Sequence, residues 1–75
     1  MKNYTVNEVI LYFIIPNLNL LESGKVFVLE DLTPPIIWNN FIHTTLGATF
    51  GDIIKDYSLP VIRVNKSGTA EYKKF

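Results

Sequence analysis

The longest amphipathic pattern in the chain runs from Trp38 to Lys55. Apolar side chains recur there at the i, i+3, i+4 and i+7 spacing of one helix face. They are Trp38, Phe41, Ile42, Leu46, Phe50, Ile53 and Ile54. The opposite arc is narrow and holds Asn40, Thr44, Gly47, Gly51 and Lys55. We expect one long helix, capped by Asn39 or Asn40 and ending near residues 56–58, on which the other elements pack.

The composition favours one small domain spanning residues 1–75. The apolar fraction of 48% excludes intrinsic disorder, and the absence of cysteine excludes disulfides and thiolate metal sites. The longest apolar run, Val9 to Ile15, is far shorter than the roughly 20 residues that a membrane span needs. We therefore expect a cytoplasmic protein that needs no metal, no cofactor and no membrane.

The formal net charge is zero but unevenly distributed. Residues 1–56 hold three lysines and six acidic residues, a net of −3, whereas residues 57–75 hold four cationic residues and one glutamate, a net of +3. The four cations are Arg63, Lys66, Lys73 and Lys74. Only this part of the chain attracts phosphates, so these side chains are candidates for weak, non-specific nucleic-acid binding. The alternative is an ordinary solvated hairpin.

A capping box predicts where the first helix begins. Thr5 and Glu8 have the spacing at which each side chain accepts a hydrogen bond from the other's backbone N–H. We expect a helix from about Val6 to Ile15 that ends before Pro16, since proline disfavours the helical conformation in the residue before it. Residues 16–24 are then a loop.

Two apolar or small-residue surfaces are candidates for binding a partner. The first helix has almost no polar face, so it is either buried on most sides or docks a partner through the flank around Leu11 and Ile15. Gly47 and Gly51 lie four residues apart inside the long helix, where glycine costs about 0.5–1 kcal/mol relative to alanine. They indicate close approach of another backbone, either within the domain or from a partner.

The C-terminal residues read as a β-hairpin. With residues 66–68 as a three-residue loop and Gly68 left-handed, Arg63 faces Glu71 and Ile62 faces Tyr72. This register buries Ile62, Val64, Ala70 and Tyr72 on one face. Upstream, we expect a short strand over residues 26–29 that pairs with the hairpin, and a helical turn over residues 30–32.

The predicted order is helix, short strand, helical turn, long helix and C-terminal β-hairpin. A three-stranded sheet with helices on one side accommodates it, so we expect an α+β domain of winged-helix-like architecture. The long helix then occupies the recognition-helix position.

Three short motifs occur in a familiar order. G-x-x-F-x-L-x-D-L begins at Gly24 and is followed by Trp38, by L-G-x-x-F at Leu46, and by Y-K-K at Tyr72. Over about residues 20–75 the chain resembles a family of short winged-helix-like proteins of unknown function. That family occurs in Gram-positive phages and mobile-element replication cassettes.

The resemblance implies an accessory subunit that binds a replication protein such as a DNA polymerase or primase. It also brings a departure, since the family often has arginine where this chain has His43 and Ala48. The departure weakens direct duplex readout by this helix.

The start of the long helix offers neutral candidates for nucleic-acid contact, namely Asn40, His43 and Thr44. Each also has a structural alternative. Asn40 is a candidate N-cap, His43 a candidate half-buried side chain with a hydrogen-bonded ring, and Thr44 an ordinary solvent-facing residue.

No arrangement of residues indicates catalysis, because the chain has no cysteine, no recognisable Ser–His–Asp spacing and no glycine-rich phosphate loop. We expect a non-enzymatic accessory protein that binds a replication protein and adds weak contact with DNA, in particular single-stranded DNA. The alternative is a phage-encoded inhibitor or adaptor of a host protein without nucleic-acid contact. The sequence leaves a homodimer open.

Overall fold

The N-terminal helix covers residues 6–20 of the structure, a computed structural model that describes residues 4–75. It consists of Val6–Val9, one π-helical turn at Ile10–Ile14, and Ile15–Leu20. The predicted capping box is confirmed. The Thr5 N–H donates to Glu8 Oε1 at 2.9 Å, and the Glu8 N–H donates to Thr5 Oγ1 at 3.1 Å.

The predicted end of this helix before Pro16 is wrong. Ile15 keeps helical angles, with φ −63° and ψ −46°, and its N–H donates to the carbonyl of Ile10, five residues back. The wider π turn lies directly before Pro16, so the proline enters a new α-helical segment at a position where no backbone N–H is needed. The predicted loop over residues 16–24 therefore begins only after Leu20.

Three short elements follow: strand β1 at Val26–Phe27, a helical turn at Leu29–Leu32 and a second turn at Pro35–Trp38. Strand β1 is shorter than predicted because Leu29 already belongs to the first turn. The Asp31 carboxylate accepts a hydrogen bond from the Val28 N–H at 3.1 Å, which stabilises the start of that turn.

The C-terminal helix is His43–Tyr57, so the prediction that it begins at Trp38 is wrong. Ile42 has extended angles, φ −76° and ψ 115°, and separates the Trp38 turn from the helix. The predicted capping by Asn39 or Asn40 is also wrong. Asn40 donates from its side-chain amide to the Ile36 carbonyl at 2.7 Å and so caps the end of the preceding turn.

Strands β2 (Val61–Arg63) and β3 (Tyr72–Lys74) complete an antiparallel sheet of order β1-β3-β2. As predicted, the N-terminal strand pairs with the hairpin, through Val26 opposite Lys73 and Phe27 opposite Tyr72. The predicted hairpin register is wrong by one residue. The observed pairs are Val61 with Lys74, Ile62 with Lys73, and Arg63 with Tyr72.

This shift changes which hairpin side chains are buried. Tyr72 is buried as predicted, whereas Ile62 and Val64 are about half exposed and Val61 is buried instead. Asn65 accounts for the shift because its side chain organises a longer loop. Its Nδ2 donates to the carbonyls of Ser67 (3.0 Å) and Thr69 (2.7 Å), and its Oδ1 accepts from the Glu71 N–H at 2.9 Å. Within that loop Gly68 is left-handed, as predicted.

The core lies between the two longer helices and the inner face of the sheet. Its members are Val9, Ile10, Ile14, Leu18, Phe27, Leu29, Leu32, Leu46, Phe50, Ile53, Val61 and Tyr72. Tyr72 is central, since its ring stacks on Phe27 at 5.7 Å and meets Phe50 edge-on at 5.1 Å. The protein is therefore a small α+β domain with helices and a three-stranded antiparallel sheet in the predicted winged-helix-like order.

Candidate functional site

A groove of about 700 Å³ separates the C-terminal helix from the hairpin. We call it the helix–hairpin groove. Helical residues lining it are His43, Thr44, Gly47 and Ala48, and hairpin residues are Arg63, Gly68, Thr69, Ala70 and Tyr72. Leu29, Glu30 and Trp38 complete it. Most of these side chains are small or apolar, which is typical of a surface that receives another side chain or backbone.

A stacked pair of rings forms part of the groove wall. The His43 ring lies parallel to the Trp38 ring, with 3.8 Å between centroids and 17° between planes. His43 Nε2 also lies 2.9 Å from the Trp38 carbonyl oxygen. The sequence offered a half-buried histidine with a hydrogen-bonded ring as the structural alternative for His43. The ring is hydrogen-bonded, but the residue is exposed. The pair fixes the Trp38 turn against the start of the C-terminal helix.

Gly47 leaves a gap in the groove wall that the domain itself does not fill. Apart from its chain neighbours and the helix's own backbone, no atom of residues 4–75 lies within 4 Å of a Cβ built at Gly47, and the same holds for Gly51. Close packing inside the described domain therefore does not explain either glycine. Of the two, Gly47 lines the groove and Gly51 does not.

The charges in the groove are mixed. Arg63 contributes a guanidinium and Glu30 a carboxylate. Burial raises the pKa of the Tyr72 phenol above 10.0, and the positive charge of Arg63 offsets part of that rise. Arg63 Nε donates to Asn65 Oδ1 at 3.2 Å, which holds the guanidinium near the loop. A groove with one cation and one anion among its lining residues suits the mixed polarity of a protein surface better than a run of phosphates.

The groove brings together four of the residues that the sequence singled out: His43, Thr44, Gly47 and Arg63. The others lie outside it. They are Asn40, Lys66, Lys73, Lys74, Leu11, Ile15 and Gly51. Three predicted nucleic-acid contacts, His43, Thr44 and Arg63, thus line the same groove as one predicted partner-binding residue, Gly47.

Lys74 has a structural role in the described domain. Its ammonium donates to the carbonyls of Leu18 at 2.9 Å, Asn19 at 3.4 Å and Leu21 at 2.5 Å. These carbonyls lie at the end of the N-terminal helix, where a positive charge is favourable. The ammonium is partly buried and engaged, so we leave Lys74 out of the candidate nucleic-acid surface.

The remaining candidates are distributed over the surface. Lys66 and Lys73 are exposed, in the hairpin loop and on strand β3. Leu11 and Ile15 are half-buried on the N-terminal helix, and Ile15 packs against the core. The flank of that helix is consequently less open than a docking surface would require.

Apart from Arg63, the hairpin side of the groove was not predicted from the sequence. Thr69, Ala70 and Tyr72 reach it because the loop is longer than three residues, and the sequence signal was Asn65, which binds loop carbonyls. Trp38 also lines the groove, and its position depends on the break in the helix at Ile42. No proline or glycine in the sequence indicates that break.

Residues 4–75 contain neither a metal-binding cluster nor a membrane-spanning helix. No group of three or more His, Cys, Asp or Glu side chains has an arrangement that would hold a metal ion. Within the same residues, no helix combines the length and apolarity required to cross a bilayer.

Comparison of the chain with protein-family models, with curated proteins and with solved structures gave no match.

Proposed function

We propose that this protein is a non-enzymatic accessory protein whose helix–hairpin groove binds a segment of a larger protein. The resemblance to proteins of phage and mobile-element replication cassettes supports a DNA polymerase or primase as that partner, in the cytoplasm of the host cell. The small domain extends the binding surface of its partner and supplies no chemistry of its own.

The observation that carries this proposal is the open space at Gly47. A glycine inside a helix destabilises it by about 0.5–1 kcal/mol relative to alanine. The described domain gains no packing from this glycine, because the added Cβ would meet none of its atoms within 4 Å. A partner backbone can approach the helix closely along the groove only where no side chain stands in its way, and Gly47 provides that position.

Capture of the tagged protein from cells that carry its native element tests the proposal, with and without nuclease. Gly47→Met fills the groove, and Gly51→Met is the matched control one helical turn away, outside the groove. We expect a polymerase or primase to be identified with the unchanged protein and with Gly51→Met, whether or not nuclease is present, and to be lost with Gly47→Met. Undiminished capture by a folded Gly47→Met variant excludes the groove.

Nucleic-acid binding is the second part of the proposal, and the exposed cations Arg63, Lys66 and Lys73 support it. As about three phosphate contacts on single-stranded DNA, they give a salt slope near −2, which corresponds to weak binding without sequence preference. We expect Lys66→Glu to reduce the affinity of the complex for single-stranded DNA and to flatten this slope. An unchanged salt dependence of DNA affinity in the Lys66→Glu variant would contradict DNA binding by these cations.

A second candidate function is a protein-binding module that acts on a host protein as inhibitor or adaptor without nucleic-acid contact. The engagement of Lys74 with backbone carbonyls favours it, because it removes one of four C-terminal cations. Retention on heparin distinguishes the two. Elution only at moderate salt supports the DNA-binding accessory protein, and no retention at low salt supports the host-directed module.

A further inference from the structure

The outer face of the sheet, which points away from the helices, is mainly apolar. Val26, Ile62 and Val64 are 48%, 50% and 49% exposed. Val26 and Ile62 flank Lys73 in the same cross-strand row, and the Val64 N–H donates to the Glu71 carbonyl at 2.9 Å, which extends the ladder by one pair. The free face of an antiparallel sheet normally carries polar side chains, so this face has the composition of a covered one.

The charges on this face are one cation and one anion on the central strand. Strand alternation places Glu71 on the same face as Lys73, two residues away. Both side chains are exposed, and neither makes a hydrogen bond or ion pair to another side chain in residues 4–75. The negative charge of Glu71 and the positive charge of Lys73 lie at equal distances on either side of residue 72. A second copy of the same surface, turned by 180°, therefore presents the opposite charge at each position.

We propose that this outer face binds a second copy of the chain in a two-fold symmetric dimer. A two-fold axis in the interface plane, perpendicular to β3 at the level of residue 72, places Lys73 of each copy opposite Glu71 of the other. The apolar side chains Val26, Ile62 and Val64 surround these two ion pairs and are buried between the packed sheets. Charge complementarity therefore selects a second copy over an acidic or a basic partner.

The dimer does not involve the helix–hairpin groove, but it occupies Lys73, so Arg63 and Lys66 are the proposed phosphate contacts that stay free in the dimer. The groove is lined by residues of the opposite sheet face, Arg63 and Tyr72, so both grooves of a dimer stay open. Failure of the dimer leaves replication-protein capture unaffected, and failure of capture leaves the dimer unaffected.

Sedimentation equilibrium over a concentration series tests the dimer with four proteins: unchanged, Glu71→Lys, Lys73→Glu, and the double exchange. Each single reversal turns both cross-dimer attractions into repulsions, and we expect dimer dissociation constants about tenfold or more higher. The double exchange restores both pairs, and we expect it to return the dissociation constant to within about threefold of the original. Ile62→Thr keeps β propensity and removes apolar contact, so it also weakens the dimer.

Three results overturn the proposal. The first is an unchanged protein that stays monomeric up to about millimolar concentration, where the weakest specific associations are measured. The second is a dimer that tolerates both single reversals and Ile62→Thr, which places the interface elsewhere. The third is a folded double exchange that fails to restore the dimer. Circular dichroism of each variant confirms folding before its association is interpreted.

Discussion

The ring of His43 stacks on the ring of Trp38, with 3.8 Å between their centroids. The two residues face each other across residues 39–42, which separate the helical turn Pro35–Trp38 from the helix His43–Tyr57. Ile42 is extended and interrupts the helical backbone between these two segments. The stacked rings nevertheless hold the turn against the start of the helix. The contact also places both rings in the wall of the helix–hairpin groove. One pair of side chains thus contributes to the fold and to the candidate site.

We expect His43→Ala to lower the free energy of unfolding by about 1–2 kcal/mol, since it removes a stacked ring and a hydrogen bond to the Trp38 carbonyl. Urea denaturation measures the change. Thr45→Ala, at an exposed position two residues away, is the control and should stay within about 0.5 kcal/mol of the unchanged protein. Equal effects of the two substitutions would contradict a structural role of the stack.

Gly47→Ala and Gly51→Ala should each stabilise the isolated domain, because the added methyl group meets no atom of residues 4–75 outside the helix backbone and the chain neighbours. The expected gain is about 0.5–1 kcal/mol for each, or a rise in Tm of a few degrees. Thermal unfolding followed by circular dichroism measures it. A loss of stability in either variant would show that the glycine is needed for packing after all.

Replacement of Lys74 tests its bonds to the end of the N-terminal helix. Lys74→Met keeps the aliphatic stem and removes the ammonium that the Leu18 and Leu21 carbonyls accept from. We expect a loss of about 1–3 kcal/mol in the free energy of unfolding. Lys66→Met, in the exposed loop, is the matched control with little expected effect. Equal stability of the Lys74→Met and Lys66→Met variants would show that the Lys74 ammonium does not stabilise the end of the N-terminal helix.

Burial of Tyr72 makes stability depend on alkaline pH. Its pKa is raised above 10.0 in the folded protein, so the folded state holds the phenol proton more tightly than the unfolded chain. This contribution is complete below pH 10.0 and is lost as the pH rises through the folded-state pKa. Denaturation at increasing pH measures the loss, which Tyr72→Phe removes.

The same residue gives a second readout. Arg63→Gln removes the nearby positive charge that lowers the Tyr72 pKa, so ultraviolet titration of tyrosinate should show this phenol ionising at still higher pH. A downward shift would mean that Arg63 does not act on Tyr72 electrostatically.

Local patterns predicted the order of elements well. The Thr5–Glu8 capping box, the helical turn before Thr33 and the left-handed Gly68 depend on residues close in sequence, and all three were predicted correctly. The pairing of strand β1 with the hairpin was predicted from the order of elements and is also confirmed.

The errors arose where a contact distant in sequence, or a less common backbone geometry, overrode a local rule. Proline normally ends a helix, but the π turn before Pro16 lets the N-terminal helix continue to Leu20. The hairpin register depended on the side-chain hydrogen bonds of Asn65. As a result, the groove could be predicted only in part. His43, Thr44 and Gly47 were singled out on the predicted long helix and Arg63 from the charge distribution, whereas Gly68, Thr69, Ala70 and Tyr72 were not predicted to line a site.

The most direct test of the proposed function is site-specific photocrosslinking in cells that carry the native element. A photoreactive amino acid at position 44 lies in the groove, and one at the adjacent exposed position 45 lies outside it. We predict that the probe replacing Thr44 crosslinks to a polymerase or primase and that the probe replacing Thr45 does not. Equal crosslinking at both positions, or crosslinking only from position 45, would contradict the groove as the docking site.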